Sequence, residues 1–407
     1  MNLSWCSLLL LVVFAAELAL AAVVDDAVQF DPKDIKMTIK SRNGEIIDCV
    51  DIYKQPSLNN PLLKDLKHQI MRDIARAVAG QQDEDKRATT VEQEWHKGTR
   101  QCPMGSIPIL RTNPSVNYLT GSLFPSPLRA ANISTWSGAA NAAGPRYEFA
   151  VAIAANGPYS GAYVQLPVWK PARVHGSEYS ATYLLLAGTK DTEFDPTPGV
   201  LPPDVTNQIA AGLFAYPERD NNPRLNIFYT ADGGKTLCYN LNCGGFVQTS
   251  RAIALGASIV NGASGVDDPV PYLLVSIEKS AAGPWHVLVN DTDLGYYPRA
   301  IFPWWMFPES VANLMGGTVL NTWPGGKHTD TVVGNGRRPP RDSKPAIVKG
   351  YVAVDLDGHP FPDTLEIIVH TAPNCYDVKF FDQSNGSVGA SVAFGGSGGP
   401  DCAPRPA

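Results

Sequence analysis

The chain has 407 residues, 44% of them hydrophobic and 18% charged, with a formal net charge of −6. That composition describes a globular protein with room for one large domain and a smaller one, and it excludes a disordered chain. There is no long basic run, which argues against nucleic acid as a partner.

The first 21 residues, MNLSWCSLLLLVVFAAELALA, carry an apolar core from Leu8 to Ala16 and an A-x-A site at Ala19–Ala21. The apolar run is too short to span a bilayer, so residues 1–21 are expected to be a secretory signal peptide. No later segment is apolar enough to cross a membrane. The expected localisation is therefore extracellular.

A leader and linker are expected over 22–145. Leu63, Leu66, Ile70, Ile74 and Val78 recur at spacings of three and four, which predicts a helix with Gly80 as its stop. The stretch GQQDEDKRATTVEQEWHKGTR that follows is charged and poor in aliphatic residues, so it is expected to be a mobile linker. CPMGSIPILR then reads as a compact, extended piece.

The main domain is expected over 146–407. Strand candidates follow one another: YEFAVAIA, GAYVQLPVW, EYSATYLLLAG, RLNIFYTAD, KTLCYN, GFVQTS, PYLLVSIEK, WHVLVN, AIVKGYVAVD and LEIIVH. Gly, Pro, Asn and Asp separate them, and several alternate with the period of a half-buried strand. The expected fold class is all-β, a two-sheet antiparallel β-sandwich preceded by a small, separable leader with a short helix.

Removing Cys6 with the signal leaves Cys49, Cys102, Cys238, Cys243, Cys375 and Cys402. An even set in an oxidising compartment points to disulfides. Six cysteines allow fifteen connectivities; sequence proximity favours Cys49–Cys102, Cys238–Cys243 and Cys375–Cys402. Sequons at Asn132, Asn290 and Asn385 fit a glycoprotein on the secretory route.

Ordinary catalytic signatures are weak. The seven histidines form neither H-x-H nor H-x-x-x-H, so a metal site would need ligands from distant strands, and no metal or cofactor is expected. GGSGG at 395–399 matches the nucleophile-elbow spacing, but no histidine follows it. DLDGH at 355–359 lacks the later ligands of an EF-hand loop and reads as a turn. Chemistry by paired carboxylates is what remains.

DCVDIYKQPSLNNPLL (48–63) and CPMGSIPILR (102–111) resemble the activation peptide of the neprosin family of plant secreted proteins. The resemblance continues through GAYVQLPVWKP, NQIAAGLFAYPE, RLNIFYTADGG, LCYNLNCGGFVQTS, IALGASI, LGYYPRAIF, GGTVLNT, HTDTVVGNG and NCYD, in order. It implies a glutamic peptidase sandwich made with a removable pro-segment. Active members cleave after proline at acidic pH, with two glutamates across one face of a sheet. The pairs Cys238–Cys243 and Cys375–Cys402 also fit the family pattern.

Both glutamates are missing here. The first belongs to an N-x-I-E-A-G-W stretch, where this chain has Asn207, Gln208, Ile209, Ala210, Ala211, Gly212 and Leu213. The second belongs to G-Y-W-P-x-E-L-F, where it has Gly295, Tyr296, Tyr297, Pro298, Arg299, Ala300, Ile301 and Phe302. Alanine can neither activate water nor protonate a leaving amine. Ala210 and Ala300 therefore mark a non-catalytic homologue, with Gln208, Leu213, Tyr296 and Tyr297 expected to line a retained cleft. Proline-rich peptides or extracellular proteins are the expected partners. Two alternatives stay open: an acid endopeptidase using relocated carboxylates, with Glu218, Asp291 and Asp293 considered, and an extracellular structural or storage protein.

Overall fold

The computed structural model describes residues 30–84, 92–96, 101–111, 146–189, 205–217, 220–233, 236–302, 307–340, 344–383 and 389–402. The expected signal segment, Asn132, Asn385 and Glu218 lie outside the described residues.

The leader forms a three-stranded antiparallel sheet of β1 (Ile35–Lys40), β2 (Ile46–Asp51) and β3 (Ser106–Leu110). Between β2 and β3, 3₁₀ turns lead into helix α1 (Lys67–Glu84). Asn60 caps the last of these turns, its side chain accepting a hydrogen bond from the Leu62 amide at 2.9 Å. Ile70 and Ile74 are buried, as the spacing predicts. Leu63 and Leu66, however, lie in the preceding 3₁₀ segment, and the helix continues four residues past Gly80. A single glycine costs a helix about 1 kcal/mol, which tertiary contacts override.

Where the expected mobile linker is described, at 80–84 and 92–96, it is anchored instead. Gln81, Gln93 and Trp95 are all buried. Gln81 accepts from the Gly105 amide at 3.0 Å and donates to the Thr249 carbonyl at 3.2 Å. Composition misled here because a few long polar side chains, fully bonded, do the work of an apolar core.

The domain follows as β4 (Arg146–Ala154), β5 (Gly161–Pro167), β6 (Ser180–Thr189), β7 (Val205–Ala215), β8 (Arg224–Thr230) and β9 (Cys238–Tyr239). Next come β10 (Val247–Gln248), β11 (Tyr272–Lys279), β12 (Trp285–Val289), β13 (Thr292–Tyr297) and β14 (Ala312–Asn321). The chain ends with β15 (Ala346–Val354), β16 (Pro360–Pro362), β17 (Ile367–His370), β18 (Asp377–Asp382) and β19 (Ala390–Gly395).

Two antiparallel sheets result. One has seven strands in the order β17-β4-β14-β6-β7-β8-β9. The other has nine, β10-β13-β12-β11-β5-β15-β19-β18 with β16 added to β15. The main core lies between them, with Leu184, Ile209 and Ile227 from one sheet meeting Val164, Val275 and Val287 from the other. Ile52, Leu58, Leu63, Ile70, Ile74 and Ile107 of the leader belong to the same cluster. A second cluster covers the opposite face of the seven-stranded sheet.

Three disulfides close: Cys49–Cys102, Cys238–Cys243 and Cys375–Cys402. The first staples β2 to the segment before β3. The second ties β9 into a small loop, and the third fixes the C-terminal end.

Candidate functional site

Ala210 lies at the middle of β7, opposite Leu185 on β6 and Phe228 on β8. Strand alternation puts Gln208, Ala210 and Phe214 on one face and Ile209, Ala211 and Leu213 on the other. The cluster memberships follow that division: Ala210 and Phe214 belong to the second cluster, Ile209, Ala211 and Leu213 to the main core. Ala210 is fully buried.

Its surroundings are aromatic. Phe214 lies 5.5 Å from Tyr179 and 6.1 Å, edge to face, from Phe228, which is 6.0 Å from Tyr239. Such spacings are those of attractive ring pairs. The hydroxyls of Tyr179 and Tyr239 are buried and have no hydrogen-bond partner among the described residues. Burial pushes both phenols well above their ordinary value of 10, so they stay neutral. This face offers rings and hydroxyls, and no general base at Ala210.

Backbone packing here is tight. A Cβ added at Gly212 would stand 2.4 Å from the Thr182 carbonyl oxygen and 2.6 Å from the Tyr183 Cα. Only glycine lets β7 lie this close to β6.

Ala300 sits elsewhere, in the 3₁₀ turn Arg299–Ile301 that follows β13. It is partly buried against the main core, so the two alanine positions do not share a cluster. Tyr297 is fully buried, its ring 4.9 Å from Phe246 and 5.1 Å from Tyr229. Tyr296 points to the outer face of the nine-stranded sheet, beneath α1. Its hydroxyl donates to Asp73 Oδ2 of the leader at 3.2 Å. A cavity of about 120 Å³ lies at this junction, between Leu66, Ile70 and Asp73 of the leader and Pro284, Tyr296 and Arg299 of the domain.

The four residues expected to line one cleft are therefore dispersed. Gln208 shares the face of Ala210, Leu213 and Tyr297 are core, and Tyr296 is covered by the leader helix. The expectation treated each motif as a wall, whereas alternation along a strand sends neighbouring side chains to opposite faces.

Candidate replacement acids are engaged in other roles. Asp291 forms the β12–β13 turn with Asn290, both at positive φ (62° and 46°) as a two-residue hairpin requires. Asp293 accepts from the Gly295 amide at 3.0 Å and lies 2.9 Å from His286 Nδ1. Asp73 is the carboxylate seen bonded to the second motif, and Arg76 already pairs with it at 2.8 Å.

Two buried glutamates of the domain escaped the sequence reading. Glu178 accepts from the Thr322 amide at 2.8 Å and from the hydroxyls of Thr322, Thr329 and Thr331. Glu148 Oε1 meets Arg146 Nε at 3.1 Å, Asn321 Nδ2 at 2.7 Å and His328 Nδ1 at 2.8 Å. Desolvation raises the Glu148 pKa, but His328, Asn321 and Arg146 together hold it below the ordinary value. Both carboxylates fasten segment 328–331 to the sheet. The alternation of HTDT was the available signal.

Glu148, His328 and Cys375 converge closely enough for a metal, as do Asp355, Asp357 and His359. Cys375 is spent in its disulfide, and Arg146 already sits on Glu148. The second group is the DLDGH turn, with Asp355 Oδ1 accepting from the amides of Asp357 and His359. Among the described residues, Ser397 Oγ donates one hydrogen bond, to the Gly398 carbonyl at 3.4 Å, and no histidine is bonded to it.

Comparison with known structures finds a Scytalido-glutamic peptidase bound to a peptide based transition state analog, 11% identical, covering 61% of this chain and 97% of that one, with a TM-score of 0.28. The same peptidase with a transition state analog inhibitor matches at 9% identity, 61% and 98% coverage and TM-score 0.31. SCP-B, a member of the Eqolisin family of peptidases, in complex with the tripeptide Ala-Ile-His, matches at 11%, 61% and 96%, with TM-score 0.26. The neprosin activation-peptide model matches residues 38–117, and the neprosin model matches residues 177–397, more than half of the chain. The chain belongs to the neprosin family.

Proposed function

We propose that this protein is a secreted, non-catalytic member of its family that keeps a peptide-binding surface. The observation that carries the reading is Ala210: a methyl group, fully buried among aromatic rings, at the position where the family pattern has a glutamate. Ala300 repeats the loss in the second motif. Losing one general acid–base costs about 10²–10⁴ in rate, and residues that act as a unit fail together. The rings and phenol hydroxyls around Ala210 have the chemistry on which rigid, extended proline-rich peptides dock, and they become such a surface only when the cover that buries them in this structure is displaced. The three disulfides and the Asn290 sequon at a hairpin tip support an extracellular glycoprotein.

The test is incubation of purified protein with a proline-rich, unstructured substrate at acidic pH. No cleavage is expected. Reproducible cleavage after proline, abolished by Asp73→Asn or Asp293→Asn, would overturn the reading in favour of relocated carboxylates. The double variant Ala210→Glu/Ala300→Glu then probes the remaining surface: cleavage gained there means that substrate binding survived in this chain.

A further inference from the structure

We propose that the leader is a permanent part of the folded protein, staying docked even when the chain is cut between it and the domain. The leader is held to the domain by buried, directional hydrogen bonds. Gln55 Oε1 accepts from the Gln248 amide at 2.8 Å while its Nε2 donates to the Gln248 carbonyl at 3.2 Å. One carboxamide thus makes the two-point contact that a neighbouring strand would make with β10, the edge of the nine-stranded sheet. Gln93 does the same to Ala254, accepting from its amide at 2.9 Å and donating to its carbonyl at 2.8 Å. Both glutamines are fully buried.

Backbone pairing reinforces this. The Glu94 amide donates to the Ser258 carbonyl at 3.0 Å, and the Val260 amide to the Glu92 carbonyl at 3.0 Å. Glu45 of the leader forms a buried ion pair with Arg224 of β8. Withdrawing the leader would therefore strip partners from buried amides, carbonyls and a buried guanidinium, and would open the core at Ile52, Leu58, Ile70 and Ile74. The Cys49–Cys102 disulfide holds the two leader pieces to each other, so a cut between residues 84 and 92 frees neither from the other.

The experiment inserts a site for a specific protease between residues 112 and 145 of the full chain. After cutting, the two pieces are expected to co-elute in equal amounts on a sizing column and to separate only in denaturant. Amide exchange at Gln248 and Ala254 is expected to stay as slow as before the cut. A leader that elutes alone from a domain still folded by circular dichroism overturns the proposal, as does fast exchange at those two amides. In the Glu45→Ala/Gln55→Ala/Gln93→Ala variant, co-elution after cutting is expected to be lost. Retention equal to that of the parent would overturn the assignment to these contacts, and if the variant does not fold, the exchange measurement on the parent decides.

Discussion

The two sheets solve different problems with the same kind of strand. Every residue of β6, β8 and β14 is buried, because the seven-stranded sheet is covered on both faces. In the nine-stranded sheet β12 alternates strictly, with Trp285, Val287 and Val289 buried and His286 and Leu288 half-exposed. Its outer face carries Gln165, Glu278, His286 and Lys349, the last 4.2 Å over the Tyr272 ring. A charge is therefore cheap on one sheet and costly on the other. Ala210 sits on the costly one, where a carboxylate without partners would be held neutral or would destabilise the fold.

That contrast can be broken most strongly at Phe228, fully buried between the rings of Phe214 and Tyr239. Phe228→Ala is expected to cost about 3–5 kcal/mol, while Gln165→Ala on the exposed outer face should stay within about 0.5 kcal/mol. Denaturant midpoints measure both, and equal effects would show that the two sheets are not packed differently. A smaller effect is expected at the β6–β7 contact. Gly212→Ala drives a methyl into the Thr182 carbonyl and should cost about 1–3 kcal/mol through overpacking. A neutral outcome in the same assay would mean that the strands separate easily, contrary to the close approach seen here.

The same contrast explains what the sequence made legible. Strands that alternate, such as WHVLVN and GAYVQLPVW, announced themselves and the sandwich followed, while the disulfides followed from an even cysteine set and sequence proximity. Neither VTNQIAAGLFA nor ANLMGGTVLN shows a strand's alternation, although they form β7 and β14 at the heart of the seven-stranded sheet. A strand buried on both faces needs no alternation, and glycines at close approaches weaken its signal further. The candidate site was legible as two alanines but not as a geometry. No local pattern tells that Tyr296 lies under the leader helix, or that Ala210 and Ala300 pack against different clusters. The anchoring of the leader was hidden for a related reason, since Gln55 and Gln93 look like surface residues until their partners in the distant 248–257 segment are known.

The smallest expected effect lies on the open face and tests whether it is as solvated as it looks. Glu278 stands directly across from His286, its carboxyl half-buried. Desolvation raises its pKa above the ordinary 4.5, Asp291 and Asp293 push the same way, and His286 and Ser276 oppose them. In the pH window between 4.5 and that raised value, the folded state holds the proton more tightly than the unfolded chain. Stability must then fall as pH rises through this window and level off once the carboxyl is ionised in both states. Glu278→Gln removes that slope. The variant is expected to match the parent at low pH and to be modestly more stable at neutral pH, in urea unfolding followed across the acidic range. A slope unchanged by the substitution would mean that Glu278 is fully solvated and titrates as in the unfolded chain. The outer face would then be indifferent to charge throughout, and the contrast with the face around Ala210 would be sharper still.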